Sequence, residues 1–517
     1  MAVSKQLVFI SVFACISAFL FGYDLGSVGP ALPLIKEALA TSDGLDEVIV
    51  GVAKLGAVLG AVLGAIVMKY GRKPAMICDV VFFLAGPVVM VAYAHVALLI
   101  VGRFLLGVGI GWSAVVVPAY LGEVSPAKYR GRVVGSYELM LCMGFLSAAL
   151  VDALLESLGA SWVWMVGMPL VPAVVMAAFV WKIPESPRWL VSEGRLDEAL
   201  AVMKEIHREG SDAELVATVE GELLDMWSSV QKEQAAEHTS VELVDVRLDD
   251  DGDDDVGGGA QKDDAPLLAP GGNSSSAPGQ LELQHEQQQH RHQDGRPQRK
   301  LTLFQSAYRL SRGSERRAFW TVMGLAFFNQ GCASTAILNY APVVLESQGV
   351  ATALASFFSA ATGVSKLCGV AVSFFLVDRV GRRPLLMWGS AGSALSLLVV
   401  AVADAVTSVA LMVASMSLFI FFFSLSWAEI FWIILSEVFS MKAKSAAIAM
   451  CTATLFLVGA GADMLFLTVR NAIGFVSFIL YAVVALCGGL FVYYFVPETS
   501  RRSLAEVQAS FRSGRPR

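Results

Sequence analysis

The chain has 517 residues, 56 % of them hydrophobic and 16 % charged, with a mean hydropathy of +0.62. Soluble domains run at roughly 45–50 % apolar and about 25 % charged residues, so this composition excludes a water-soluble enzyme, a disordered chain and a disulfide-knitted secreted domain. The net charge of −7 is unevenly spread: residues 204–300 carry −13 and the rest +6, a mildly basic apolar body around one acidic segment.

A helix that crosses a bilayer takes about 20 mostly apolar residues. Twelve such stretches follow one another: 7–29, 47–68, 74–93, 96–121, 133–155, 160–182, 318–344, 350–377, 384–406, 409–438, 445–468 and 473–496. The first resembles a signal-peptide core, but no small-residue cleavage site follows and the segment runs on into Gly22-Tyr23-Asp24, which makes it a retained span. The tenth is long enough to be tilted or broken. All seven Cys lie in apolar runs, an odd count that fits free thiols in helices and not a disulfide framework. No metal-ligand spacing and no nucleophile–base–orienter set appears, so neither metal, cofactor nor enzymatic chemistry is expected, and no nucleic-acid partner is implied.

The expected organisation is an all-α membrane protein: six spans over 1–182, a loop over 183–317, six spans over 318–496 and a tail over 497–517. Lys69, Arg72 and Lys73; Lys128, Arg130 and Arg132; Arg379, Arg382 and Arg383; Lys442 and Lys444 all fall on one side, with five further Arg in the tail, while the opposite loops hold little beyond Lys36 and Arg470. The positive-inside rule then places both termini and the long loop in the cytoplasm. Within the loop, 186–237 reads as helical, with Ser192 and Asp197 near the start of an amphipathic stretch. From 239 to 300 an Asp run, Gly and Ser repeats and a Gln/His tract cannot bury enough apolar surface to order themselves. Asp263 to Leu268 fits an acidic dileucine signal, which adaptor proteins would read at Leu267 and Leu268. Asn273-Ser274-Ser275 matches a glycosylation sequon that a cytoplasmic loop would leave unmodified.

The chain repeats itself. Gly71-Arg72-Lys73 returns as Gly381-Arg382-Arg383; Glu123 with Arg130 returns as Glu437 with Lys444; Pro184-Glu185-Ser186 returns as Pro497-Glu498-Thr499; and Lys54 returns as Lys366. Offsets this uniform divide the chain into six spans plus six, the parallel-repeat plan of transporters that bind substrate between halves near the midplane.

In this order and on these loops, Gly22-Tyr23-Asp24, Gly102-Arg103, Pro118-x-Tyr120-x-x-Glu123-x-x-Pro126-x-x-x-Arg130-Gly131, Pro184-Glu185-Ser186-Pro187-Arg188, Asp378-Arg379-x-Gly381-Arg382-Arg383, Ser436-Glu437-x-Phe439 and Pro497-Glu498-Thr499 resemble the sugar porter family of the major facilitator superfamily. The resemblance covers nearly all of the chain outside 204–300. It implies the major facilitator fold and secondary active transport of a hexose or polyol with protons by alternating access. An uncoupled facilitator and a non-transporting sugar sensor are the alternatives. It implies a multi-pass protein of the plasma membrane, or of a vacuolar or other internal membrane. Arg72, Glu123, Arg130, Asp378, Arg382, Glu437 and Lys444 would form a gate network of ion pairs between helix ends and across halves. The family places an acid where this chain has Met68, which leaves the first turn without the partner that Asp378 supplies in the second.

An ionisable residue inside a span costs about 2.5–3.5 kcal/mol even on lenient insertion scales, and is therefore a functional candidate. Asp24 and Arg103 match positions that proton-coupled members use for coupling; a fixed salt bridge between helices is the plainer reading. Glu138 stands where many members have a sugar-binding Gln, and Lys366 where many have Asn, as in the plant polyol and monosaccharide branch. They belong to opposite halves and are expected to meet in the cavity or to share the ligand, unless Lys366 snorkels to an interface. Asn329 and Gln330 occupy the family's paired-Gln position, followed by Thr335 and Asn339. Trp427 and Trp432 supply an aromatic plate for a sugar's C–H face, with core packing as the alternative. Glu429 has no family reading; Lys54 is placed to pair with it or with Asp24.

Overall fold

The computed structural model describes residues 4–125, 130–206, 219–221, 223–224, 226–228, 231, 308, 310–313, 315–439, 441–500, 506, 510 and 511. The expectations for 239–300 and for Leu267 and Leu268 lie outside these residues, and the side chains of Arg130 and Asp378 lie outside the description as well.

A chain inside lipid has to satisfy its own backbone hydrogen bonds, which favours helices throughout. Among the described residues, twelve helices are long and apolar enough to cross a membrane. Spans 1–6 are Lys5–Leu39, Asp43–Tyr70, Arg72–Ala92, Val96–Val124, Gly131–Ser157 and Trp162–Lys182. Spans 7–12 are Arg316–Glu346, Ala360–Val377 (within a helix over Thr352–Val380), Arg382–Ala405, Val409–Val438, Lys444–Ile473 and Val476–Phe495. Large apolar side chains such as Val81, Leu154, Val171, Phe375, Leu395 and Leu490 stay exposed on the outside of the bundle, as a lipid-facing surface requires.

Span 1 runs further than its apolar stretch. It passes through Pro30 and Pro33 and ends at Leu39, so Lys36 sits in its last turn and not in a loop; there Lys36 pairs with Asp43 at 2.5 Å. A cation in this position also complements the negative end of the helix dipole.

Among the described residues four spans are interrupted, span 6 at Met168 and Pro169 between helices over Trp162–Gly167 and Leu170–Phe179. Span 1 breaks at Cys15. Span 7 breaks after Gly331, where Ala333 takes a left-handed φ of 57° before the helix resumes at Ser334. Span 10 is broken as its length suggested, by a π-helical turn over Ser424–Ala428. Such wide turns inside an α-helix often mark functional positions.

Spans 2 and 4 approach backbone to backbone. A Cβ on Gly107 would lie 1.9 Å from the Ala53 carbonyl oxygen, and one on Gly111 1.9 Å from that of Ala57. Small residues at such crossings replace the hydrophobic driving force that lipid does not supply. After span 6, short helices over Pro187–Ser192 and Leu196–Ile206 build a small apolar cluster of their own around Leu190, Val191, Ala199 and Met203.

Candidate functional site

Spans from both halves surround a small central cavity. Phe21, Leu25, Lys54, Glu138 and Leu141 come from spans 1, 2 and 5. Asn329, Gln330, Thr335, Lys366, Trp432 and Phe456 come from spans 7, 8, 10 and 11. Apolar walls with a few convergent polar groups are the lining that suits small molecules. The break in span 7 falls between Gln330 and Thr335, which turns both toward the cavity although they stand five positions apart.

Three buried ion pairs frame this space. Arg103 Nη1 donates to Asp24 Oδ1 at 2.8 Å and Nη2 to Oδ2 at 3.4 Å, while Nε donates to the Ile49 carbonyl at 2.6 Å, which ties span 4 to spans 1 and 2. Leu25, next to Asp24 in the chain, lines the cavity. Lys366 Nζ lies 3.3 Å from Glu138 Oε1, a bond between spans 8 and 5 that brings the two halves' charges together at the cavity wall. Lys54 Nζ lies 2.9 Å from Asp463 Oδ2. Lys54 thus pairs with neither Asp24 nor Glu429. Glu429 lies instead beside Gly135, in a recess shared with Tyr137, Glu138 and Trp432.

Asp463 is absent from the sequence expectations. Thr335 and Asn339 each reach its carboxylate at 3.3 Å, and Tyr340 donates to its backbone carbonyl at 3.1 Å. The signal that finds it is the one that found Asp24: a single acid inside an apolar run, Gly459-Ala460-Gly461-Ala462-Asp463-Met464-Leu465-Phe466. Fully buried Asp79 and Asp152 carry the same signal.

Two aromatic and amide placements differ from expectation. Trp427 is not a cavity plate: its indole N–H donates to Ser390 at 2.9 Å, its carbonyl accepts from Asn329 at 2.9 Å, and its ring packs beside Gly488. The π-helical turn that contains Trp427 directs it into the second half, leaving Trp432, one turn on, to face the cavity. Asn339 sits behind Asp463 and is not among the cavity's lining residues.

At the basic end the repeat is structural as well as sequential. Arg72 Nη2 meets Glu123 at 2.6 Å, Ser186 donates to Glu123 at 2.5 Å, and Glu185 accepts from the backbone amides of Arg72 at 2.9 Å and Lys73 at 3.1 Å. In the second half Arg382 meets Glu437 at 3.0 Å, Thr499 donates to Glu437 at 3.1 Å, and Glu498 accepts from the amides of Arg382 and Arg383, both at 3.0 Å. Gly71 and Gly381 take φ of 128° and 103°, a conformation open to glycine that aims these amides at the carboxylates. The Arg72–Glu123 and Arg382–Glu437 pairs each join helix ends within one half, as expected of neighbouring helix ends. Arg72 also has a partner without an acid at Met68, whose backbone carbonyl it reaches at 3.4 Å. Lys444 stands half-buried at the start of span 11.

The architecture is that of the major facilitator superfamily. A solved proton:xylose symporter, XylE, bound to 6-bromo-6-deoxy-D-glucose shares it with a TM-score of 0.73 at 20 % identity, over 99 % of this chain and 100 % of that one. Residues 10–247 and 273–511 match the family model "Sugar (and other) transporter", and the chain belongs to that family, the sugar porters. Its members are transporters, not enzymes. Among curated relatives, the major myo-inositol transporter IolT of Bacillus subtilis is 29 % identical over 529 residues, covering 98 % of this chain and 96 % of its own. The glucose transporter GlcP of Staphylococcus epidermidis is 26 % identical, covering 99 % and 98 %, and the galactose-proton symporter of Escherichia coli (strain K12) 25 %, covering 98 % and 95 %.

Proposed function

We propose that this sugar porter imports a hexose or polyol together with protons by alternating access, from the plasma membrane, with its termini and basic loops in the cytoplasm. The carrying observation is a cavity walled by both halves beside a buried Asp24–Arg103 pair at 2.8 Å. An Asp that loses its Arg partner as helices move gains proton affinity, and one that regains it loses affinity. A conformational cycle that alters this distance therefore carries a proton. The Glu138–Lys366 pair, the amides of Asn329 and Gln330, and Trp432 supply hydrogen bonds and an aromatic face for a polyhydroxylated ligand, with Thr335 and Asn339 bordering them. Relatives named as a myo-inositol transporter, a glucose transporter and a galactose-proton symporter support this reading. The paired clusters at Arg72–Glu123 and Arg382–Glu437 act as the cytoplasmic gate, with Arg130, Asp378 and Lys444 as its further members.

The test is the inward current, or external alkalinisation, when hexoses, inositol and linear polyols are added to cells expressing the protein. A saturable proton influx with one class names the substrate and establishes symport. Tracer uptake without current overturns the coupling, and no uptake with the protein at the surface overturns transport.

A further inference from the structure

Lys54 belongs to span 2, yet every group that receives its ammonium belongs to the second half. Asp463 Oδ2 lies at 2.9 Å, the Gly459 carbonyl at 3.3 Å and Gln330 Oε1 at 3.4 Å, and the Thr335 hydroxyl is also a partner. The socket is thus built from spans 7 and 11. Lys54, Gln330 and Thr335 also line the cavity, with the Asp463 carboxylate immediately behind Thr335, so a ligand that displaces the Lys54 ammonium opens the way to the socket. On the far side of Asp463, Asn339 donates to Oδ2 at 3.3 Å while its own Oδ1 is buried without a hydrogen-bond partner.

We propose that Lys54 and Asp463 form a charge-balanced substrate contact that admits uncharged polyhydroxylated ligands and rejects charged ones. This rests on the transport reading above and extends it to residues outside the Asp24–Arg103 and Glu138–Lys366 pairs. A pair of neighbouring hydroxyls inserts between the two ions: one O–H donates to the Asp463 carboxylate, and the other oxygen accepts from the Lys54 ammonium. Both ions keep a hydrogen bond and neither is left alone. A sugar acid would take Lys54 and strand Asp463, and a protonated amino sugar would do the reverse; a stranded buried charge is heavily penalised. Because the two residues lie on opposite halves, the same insertion loosens a contact that otherwise holds span 2 to span 11.

The test measures competition against uptake of the tracer substrate in cells expressing the full chain, at pH 6, with a neutral sugar, glucuronate and glucosamine as probes. Wild type should be inhibited by the neutral sugar and poorly by both charged ones. Asp463→Asn should gain inhibition by glucuronate, and Lys54→Met inhibition by glucosamine, each by about tenfold or more, the scale of one recovered close charge contact. A structural role alone would weaken all three probes together and would not swap their order. If Lys54→Met fails to reach the surface, Lys54→Gln, which retains hydrogen bonds to Thr335 and Gly459, is read in the same way. Variants that rank the three probes as wild type does would overturn the inference and leave transport standing. A wild type that takes up no sugar would overturn both.

Discussion

Asp24 and Arg103 show how little freedom a buried charge has in this bundle. Arg103 is only 4 % exposed and spends its donors on Asp24 and on the Ile49 carbonyl, so each partner is the other's compensation. Breaking one side of such a pair typically costs about 3–5 kcal/mol because the other charge stays buried. Asp24→Asn retains the shape and removes the proton site. It should reduce accumulation to the level of equilibration while exchange of labelled for unlabelled substrate persists, as measured in proteoliposomes with and without a pH gradient; accumulation at the wild-type level would exclude Asp24 from coupling. The single-residue signal was legible wherever a charge interrupts an apolar run, as at Asp24, Arg103, Glu138 and Lys366. The same signal stands at Asp463, which belongs to none of the repeated or family motifs. Trp427 failed differently. Composition gives an aromatic near the cavity, but a π-helical turn decides which of Trp427 and Trp432 faces it, and no side-chain pattern records that turn.

The spans themselves follow from apolar length, and their breaks follow from contacts that lie far away in the chain. Ala333 adopts a left-handed conformation that disfavours any residue with a Cβ by about 1–2 kcal/mol, which a sequence reading has no reason to assign to an alanine. The packing between spans 2 and 4 is more legible, since Gly56, Gly60, Gly107 and Gly111 recur at one-turn spacing. Gly107→Ala puts a methyl group 1.9 Å from the Ala53 carbonyl oxygen and has to separate the helices. Gly461→Ala, in span 11, meets nothing within 4 Å. Overpacking costs roughly 1–3 kcal/mol, whereas Gly to Ala in an unobstructed helix gains roughly 0.5–1 kcal/mol. The thermal midpoint in detergent should therefore fall for Gly107→Ala and hold or rise for Gly461→Ala. Equal shifts would mean that the close crossing carries no stability.

Across the whole molecule the halves are joined and separated at different levels. At the end opposite the basic loops, Glu47 accepts from the Thr468 amide and hydroxyl, both at 2.7 Å, and Asn471 donates to Asp43 at 3.1 Å, so span 2 is clasped to span 11. Near the cavity, Lys54–Asp463 and Glu138–Lys366 cross between halves. At the basic end, Arg72–Glu123 and Arg382–Glu437 each join helix ends within one half. Two halves joined at the far end and at the centre can rock about those contacts, which alternating access requires. The arrangement predicts a pattern of energetic coupling. Residues that share a bond depart from additivity by about 0.5–3 kcal/mol, whereas separate sites add to within about 0.5 kcal/mol. Removing Glu123 after Arg72 has gone should therefore cost little more, so Arg72→Gln with Glu123→Gln lowers the thermal midpoint no further than the worse single variant. Glu123→Gln with Glu437→Gln, one from each half, should lower it by the sum of the two single shifts. Strong coupling in that second cycle would mean that the basic clusters act as one bridge between halves and not as two separate braces.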